Sequence, residues 1–131
     1  MGGYMKHSIK NKYLNYLNNK TDESINGDIH EVTLPFFDHF NDALQIYIEE
    51  SKKNENEYLI TDDSYIINSL IDSGLSISEY HKNRIQKICN NNGVELNGNE
   101  LIICSNMKNV GSKIHSLVHV MLAIDAMYSD S

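Results

Sequence analysis

The chain has 131 residues, of which 40% are hydrophobic and 8% aromatic, and its formal net charge is −7. This length suits a single domain with a packed core, and the composition excludes an intrinsically disordered chain. No apolar run reaches the roughly 20 residues that a membrane-spanning helix needs. The first 20 residues are too polar for a signal peptide. We therefore expect one cytoplasmic domain over residues 1–131, without membrane association.

Negative charge is concentrated between Asp22 and Asp72, where thirteen acids and two lysines give a net charge of −11. The first 20 residues carry four lysines and no acid, and the rest of the chain is balanced. A negative field of this kind repels nucleic-acid phosphates and attracts a basic protein surface or a cation. We therefore expect a basic protein partner and no direct binding of nucleic acid. Ordinary solubilising charge is the alternative interpretation.

The N-terminal half alternates between helical and strand patterns. Apolar residues recur at helical spacing over residues 5–18 and predict an amphipathic helix. The segment "TDESINGD" is rich in turn formers and is interpreted as a break. Period-two alternation then predicts three strands, in "IHEVTLPFF", "ALQIYIEE" and "EYLITDD". The first should end near Pro35, and the other two should pair as an antiparallel hairpin across a polar loop.

The C-terminal half predicts two helices, a hairpin and a final helix. The first helix should end at Gly74, and Ser76 and Glu79 have the spacing of a capping box for the second. Asn97 and Gly98 predict a two-residue type I′ turn between two further strands. The final helix is predicted over residues 107–128, after a core over residues 28–104. Taken together, the elements of both halves predict an α+β fold with a mainly antiparallel sheet of four to five strands covered by about four helices.

Asp62 and Asp63 directly precede a predicted helix. A carboxylate in that position accepts hydrogen bonds from free backbone N–H groups and meets the positive end of the helix dipole. Capping explains one of the two residues. Catalysis by the pair would need a further acid, base or metal ligand.

Two other groups of residues have metal-binding chemistry. The segment "PFFDHFND" places Asp38, His39 and Asp42 together, and His115 and His119 are four residues apart on the final helix. Asp38, His39, Asp42 and either Asp62 or Asp63 would form the site of a metal-dependent hydrolase or nuclease. No glycine-rich phosphate loop or nucleophile elbow is present, and Cys89 and Cys104 lack a metal-ligand spacing. We therefore predict no cofactor and favour a protein that is not an enzyme.

A set of short motifs lies within roughly residues 30–104: Pro35, Phe36, Asp38, Tyr47, Ile48, Thr61, Asp62, Asp63, Asn99, Glu100 and Leu101. These motifs resemble the domain-of-unknown-function family DUF1828, which occurs in hypothetical proteins of bacteria and their phages. The likeness leaves both terminal helices outside. Ser64 departs from the pattern, which has glycine there. The family has no established activity, so the resemblance implies the kind of organism and genetic element in which the protein occurs, but no mechanism.

These observations together predict a small acidic interaction protein of a phage or mobile element. Such a protein would bind, and inhibit or redirect, a basic host protein such as a defence nuclease or regulator. The candidate contact residues are Asp38, His39, Asp42, Glu49, Glu50, Asp62 and Asp63. A homodimer through the C-terminal helix is a further expectation.

Overall fold

The structure is a computed structural model that describes residues 8–130. In chain order its elements are α1 (Ile9–Lys20), β1 (Asp22–Asn26), β2 (Ile29–Phe37), β3 (Ala43–Glu50), β4 (Tyr58–Thr61), α2 (Tyr65–Asp72), α3 (Glu79–Asn91), β5 (Glu95–Asn97), β6 (Glu100–Ser105), α4 (Val110–Asp125) and a closing 3₁₀ helix (Ala126–Asp130). No helix within the described range is long and apolar enough to cross a bilayer.

The six strands form one open antiparallel sheet in the order β1-β2-β3-β4-β6-β5. The predicted α+β class is confirmed, although the sheet has one strand more than the expected four to five. The additional strand is β1, which lies in the segment interpreted as a break. All five of its residues are exposed, so no buried apolar alternation marks it as a strand. It pairs with β2 across a turn at Gly27, whose φ is +64°.

One face of the sheet carries the hydrophobic core. In β3, Leu44, Ile46 and Ile48 alternate inward and are buried, and Ile60 and Ile103 continue that row on β4 and β6. Helix α4 packs on this face against β4 and β6 and buries residues on successive turns, and α2 and α3 pack against α4. Burial of each large aliphatic side chain contributes roughly 1.5–3 kcal/mol. The opposite face of the sheet has no helix over it among the described elements.

Both terminal helices differ in extent from the prediction. Residues 5–7 of the predicted N-terminal helix lie outside the described residues, and α1 begins after Ser8, whose side chain caps it. No residue of α1 is buried, and Ile9 is 64% exposed. The C-terminal helix begins at Val110 and tightens into a 3₁₀ helix from Ala126.

Two local turn predictions are displaced by one or two residues. The second hairpin is present, but its paired ends are Asn97 and Glu100, so the turn residues are Gly98 and Asn99. Only the first of these has positive φ, which does not fit a type I′ turn. The capping box of α3 is formed by Ser78 and His81, instead of Ser76 and Glu79. Serine residues recur at 73, 76 and 78, and spacing alone does not select among them.

Candidate interaction site

Asp62 is a fully buried carboxylate that ties α2 to β6. Its Oδ1 accepts hydrogen bonds from the backbone N–H groups of Ser64 and Leu101, both at 3.0 Å. Its Oδ2 accepts from the N–H of Ile66, also at 3.0 Å. Burial raises the pKa of Asp62, and these three N–H bonds oppose that rise. Asp62 therefore caps α2, the role expected for one member of the Asp62–Asp63 pair. It also holds the backbone of β6 at Leu101.

Asp63 and Ser64 form a strained link between β4 and α2. Their φ angles are +56° and +64°, a region that costs an L-residue roughly 1–2 kcal/mol. The resemblance described above leads us to expect glycine at position 64, and the left-handed conformation found there is one that glycine adopts without steric cost. The strained backbone places the Asp63 side chain in solvent.

Asp38 is buried and closes the loop between β2 and β3. Its Oδ1 accepts from the N–H groups of Phe40 and Asp42, both at 2.9 Å, and its Oδ2 accepts from the hydroxyl of Tyr65. Burial and then the hydrogen bond to Asp38 raise the pKa of Tyr65 to about 12. Asp38 therefore joins the loop to the first turn of α2 and offers no free oxygen at the surface.

His39 links three elements that are distant in sequence. Its Nδ1 donates to Oδ1 of Asp125 at 2.7 Å, and its Nε2 lies 2.7 Å from the hydroxyl oxygen of Ser73. This connectivity is that of a Ser-His-Asp triad. However, the Ser73 hydroxyl donates to the carbonyl of Ser69 at 2.7 Å, and the next N–H groups, of Gly74 and Leu75, bond to helix carbonyls. No free N–H is left here for an oxyanion, so we interpret the network as structural.

The remaining predicted contact residues are not buried, and they lie in two places. Asp42 and Asp63 are exposed near Tyr47 and Tyr65, at the end of the sheet where β3 begins. Glu49 lies on the open face of β3. Glu50 lies beyond it in a depression of about 690 Å³ between the β1–β2 turn and the β3–β4 loop.

The structure does not bring the predicted metal-binding side chains together. Within residues 8–130, no group of three or more His, Cys, Asp and Glu side chains is placed to hold a metal ion. The carboxylate oxygens of Asp38 and Asp62 accept hydrogen bonds from backbone N–H groups. His115 and His119 are both exposed and line an apolar groove between α1 and α4.

The open face of the sheet is acidic across its full width. The strand register directs five carboxylates to this face, from β1, β2, β3, β5 and β6: Asp22, Glu31, Glu49, Glu95 and Glu100. Among the described strand residues that share this face, none is Lys, Arg or His. Charges at both outer edges and in the centre therefore have one sign.

The centre of the open face is apolar. Tyr47 on β3 and Ile102 on β6 lie on either side of Thr61, and Leu59 is the next residue of β4 on the same face; all three apolar residues are partly exposed. Cys104 lies beside Leu59 on the same face and is a free, exposed thiol. An apolar centre within a polar rim is the usual composition of a protein interface. Sequence analysis could not align the acids of the five strands, because only the register does so.

Comparison with known protein families gives a match to the model for the domain of unknown function DUF1828, over residues 34–124. The chain belongs to the DUF1828 family. The match covers most of the chain and includes α4 up to Ile124, whereas the sequence resemblance had left this helix outside. No curated protein and no solved structure matches the chain.

Several of the residues that carry the resemblance to DUF1828 form an internal scaffold. Asp38 holds Tyr65, and Asp62 holds the backbone of Leu101. The hydroxyl of Thr61 donates to Oε2 of Glu100 at 2.6 Å, which joins β4 to β6 a second time. Pro35 lies where the register between β2 and β3 shifts, a bulge position that tolerates a missing N–H. This scaffold therefore explains how this DUF1828 domain holds its open face in shape.

Proposed function

We propose that this DUF1828 protein is a non-enzymatic interaction module whose open sheet face binds a basic surface of another protein. The observation that supports it is the set of five carboxylates, without a cation, around the apolar centre of Tyr47, Leu59 and Ile102. Charge complementarity steers association and rejects partners of like charge. The apolar centre supplies area that loses water on binding.

The sign of the charge also argues against two other occupants. A second copy docked face to face would bring two sets of carboxylates together, which is unfavourable. Nucleic acid would present phosphates to the same carboxylates. A basic protein surface would be attracted by these carboxylates, whereas a second copy and a nucleic acid would both be repelled. By association with the family's setting, we further propose a phage or mobile-element protein whose target is a host defence nuclease or regulator.

The homodimer through α4 remains a separate prediction. Residues Leu117, Val118 and Met121 of α4 are buried within the chain itself, so they are not free to form an interface. The apolar surface left on α4 lies in the groove against α1, beside Ile114 and Leu122. Sedimentation of the purified chain over a range of concentrations tests this prediction.

The test of the proposed function compares two variants with the same change in net charge. The open-face variant carries Glu31→Gln, Glu49→Gln and Glu95→Gln. The control variant carries Asp28→Asn, Glu55→Gln and Glu79→Gln, which are exposed and lie off the open face. Each tagged chain is used to capture proteins from a host lysate at low and high salt.

We expect the unchanged chain and the control to retain a basic protein at low salt and to release it at high salt, because screening weakens exposed charge pairs. The open-face variant should lose that protein at both salt concentrations. Equal capture by all three chains, with unchanged salt dependence, would contradict the proposal.

A further inference from the structure

Two adjoining depressions lie at one end of the open face, where β3 begins and α2 starts. Both are lined by Tyr47 and Tyr65. The larger, of about 480 Å³, also reaches Phe40, and the smaller, of about 160 Å³, reaches Gln45. We call the two together the aromatic groove. Phe40 is 53% exposed and Tyr65 is 39% exposed, so two large rings remain in contact with water here.

The aromatic groove is negatively charged. Asp42 lines the smaller depression, and Asp63 and Asp72 line the larger one. All three are exposed, and no Lys, Arg or His is among the lining residues of either depression. After burial, the charges of Glu31 and Asp63 raise the pKa of Tyr47. The negative field therefore reaches the ring in the middle of the groove.

One buried group beneath the groove favours a cation. The hydroxyl of Tyr65 donates to the buried carboxylate of Asp38, which makes the ring more electron-rich and strengthens its attraction for a cation. Ser69 lines the larger depression but is only 5% exposed, and its hydroxyl interacts with that of Tyr65. These buried groups hold the Tyr65 ring in place, and the charge that attracts a ligand comes from the exposed carboxylates.

We propose that the aromatic groove binds an arginine side chain of the basic partner. This inference rests on the proposed function and names the group that the partner inserts. A guanidinium is planar and stacks on aromatic rings, and its five N–H donors can reach more than one carboxylate at the same time. A lysine ammonium has the charge but lacks the flat surface, so it uses only part of the groove.

The experiment titrates the full isotope-labelled chain with Nα-acetyl-arginine amide and follows its backbone amide signals by NMR. Nα-acetyl-lysine amide and the uncharged Nα-acetyl-citrulline amide are the matched probes. The groove variant carries Asp63→Asn and Asp72→Asn; asparagine also tolerates the left-handed backbone at position 63. The control variant carries Asp28→Asn and Glu55→Gln, which remove equal charge at exposed positions outside both the open face and the groove.

We expect arginine amide to shift the signals of Asp42, Ser64 and Asn68 and to bind more tightly than the lysine probe. The groove variant should weaken binding by about fivefold, and the control variant should leave it unchanged. Shifts no larger than those with citrulline amide, or equal weakening in both variants, would overturn the inference.

The two proposals fail in different ways. If arginine amide does not bind the groove but the open-face variant still loses the captured protein, the groove inference is wrong and the proposed function stands. If arginine amide binds and the open-face variant captures normally, the proposed function fails. In that case the assignment of the arginine to a basic protein partner fails with it.

Discussion

His39 and Asp125 form a buried pair across 86 residues of sequence, with Nδ1 of His39 donating to Oδ1 of Asp125 at 2.7 Å. Their side chains are 7% and 9% exposed. Tyr128 stacks on the imidazole with ring centres 4.1 Å apart. The pair holds the β2–β3 loop, which carries Phe40 and Asp42, against the end of the last core helix. The geometry of the aromatic groove therefore depends on the buried hydrogen bond between His39 and Asp125, which lies outside the groove.

Removal of one member of this pair should be strongly destabilising. We expect His39→Ala to lower the free energy of unfolding by about 3 kcal/mol, because Asp125 is then left buried without a partner. The double variant His39→Ala/Asp125→Ala should lose less than the sum of the two single variants. Urea unfolding of all four chains measures this coupling. Additive losses would show that the two residues are not coupled.

Asp62 should be the most sensitive carboxylate of the chain. Asp62→Ala leaves three N–H groups without their acceptor, and each such group costs about 1–3 kcal/mol when buried. Because the backbone around these three N–H groups can relax after the substitution, the three costs should not add in full. We expect the free energy of unfolding to fall by about 3–5 kcal/mol in total. The neighbouring Asp63→Asn, which removes an exposed charge, is the control and should change stability by less than about 0.5 kcal/mol. Similar unfolding midpoints for the two variants would contradict the assigned roles.

Replacement of Ser64 by glycine should stabilise the protein. The residue has a φ of +64°, which glycine adopts without steric cost, although glycine loses more backbone entropy on folding. The net gain expected is about 0.5–1 kcal/mol, seen as a higher melting temperature. Ser64→Ala keeps the steric cost and should give no gain. If alanine stabilises as much as glycine, backbone strain is not the cause.

The pKa of Tyr65, about 12 in the folded chain, makes stability depend on pH in the alkaline range. The folded pKa lies above the ordinary value of 10.0. The contribution of Tyr65 to stability is therefore complete below pH 10, and it is lost as pH rises through about 12. Asp38→Asn removes a neighbouring negative charge and should lower the pKa of Tyr65 toward 10.

The measurement is the ultraviolet absorbance of tyrosinate during an alkaline titration. Because the chain has eight tyrosines, the signal of Tyr65 is taken as the difference between each chain and its Tyr65→Phe counterpart. An unchanged midpoint in the Asp38→Asn background would mean that the hydrogen bond does not set this pKa.

The two cysteines should differ sharply in reactivity. Cys89 is buried, and burial and then the charge of Asp62 raise its pKa to about 11. Cys104 is exposed on the open face, and partial burial and then the charges of Glu57 and Glu95 raise its pKa. A thiol reagent should modify Cys104 slowly at neutral pH and Cys89 only after unfolding. Labelled peptides identified by mass spectrometry give the order, and modified Cys104 should reduce capture of the basic partner.

Local patterns predicted most of the elements, because core spacing is visible within a few residues. Ile46 and Ile48 mark β3, and the apolar residues of α4 mark the last helix. The exposed strand β1 was missed because none of its side chains enters the core. Its pairing depends on β2, and a stretch such as "DESIN" has no strong strand preference of its own.

The polar contacts of the site could not be predicted from the sequence. Asp38 and Tyr65 are 27 positions apart, and Asp62 and Leu101 are 39 apart. Such pairs follow from the packing of α2 against the sheet, which no single segment specifies. Sequence analysis found the acids concentrated between Asp22 and Asp72, but Glu95 and Glu100 of the open face lie outside that segment. It also did not separate the carboxylates that hold the fold, such as Asp38 and Asp62, from those that face water.

The strand order fixes when the sheet can close during synthesis. Strands β1 to β4 pair with their sequence neighbours, but the outer edge of β4 receives β6, which arrives only after α2, α3 and β5. Until Leu101 has been made, Asp62 lacks one of its three donors and β4 presents unpaired N–H and C=O groups. Exposed strand edges of this kind pair with other chains. Translation that stalls between the two halves would therefore leave an aggregation-prone nascent chain, and slow closure of this long-range pair should limit the folding rate.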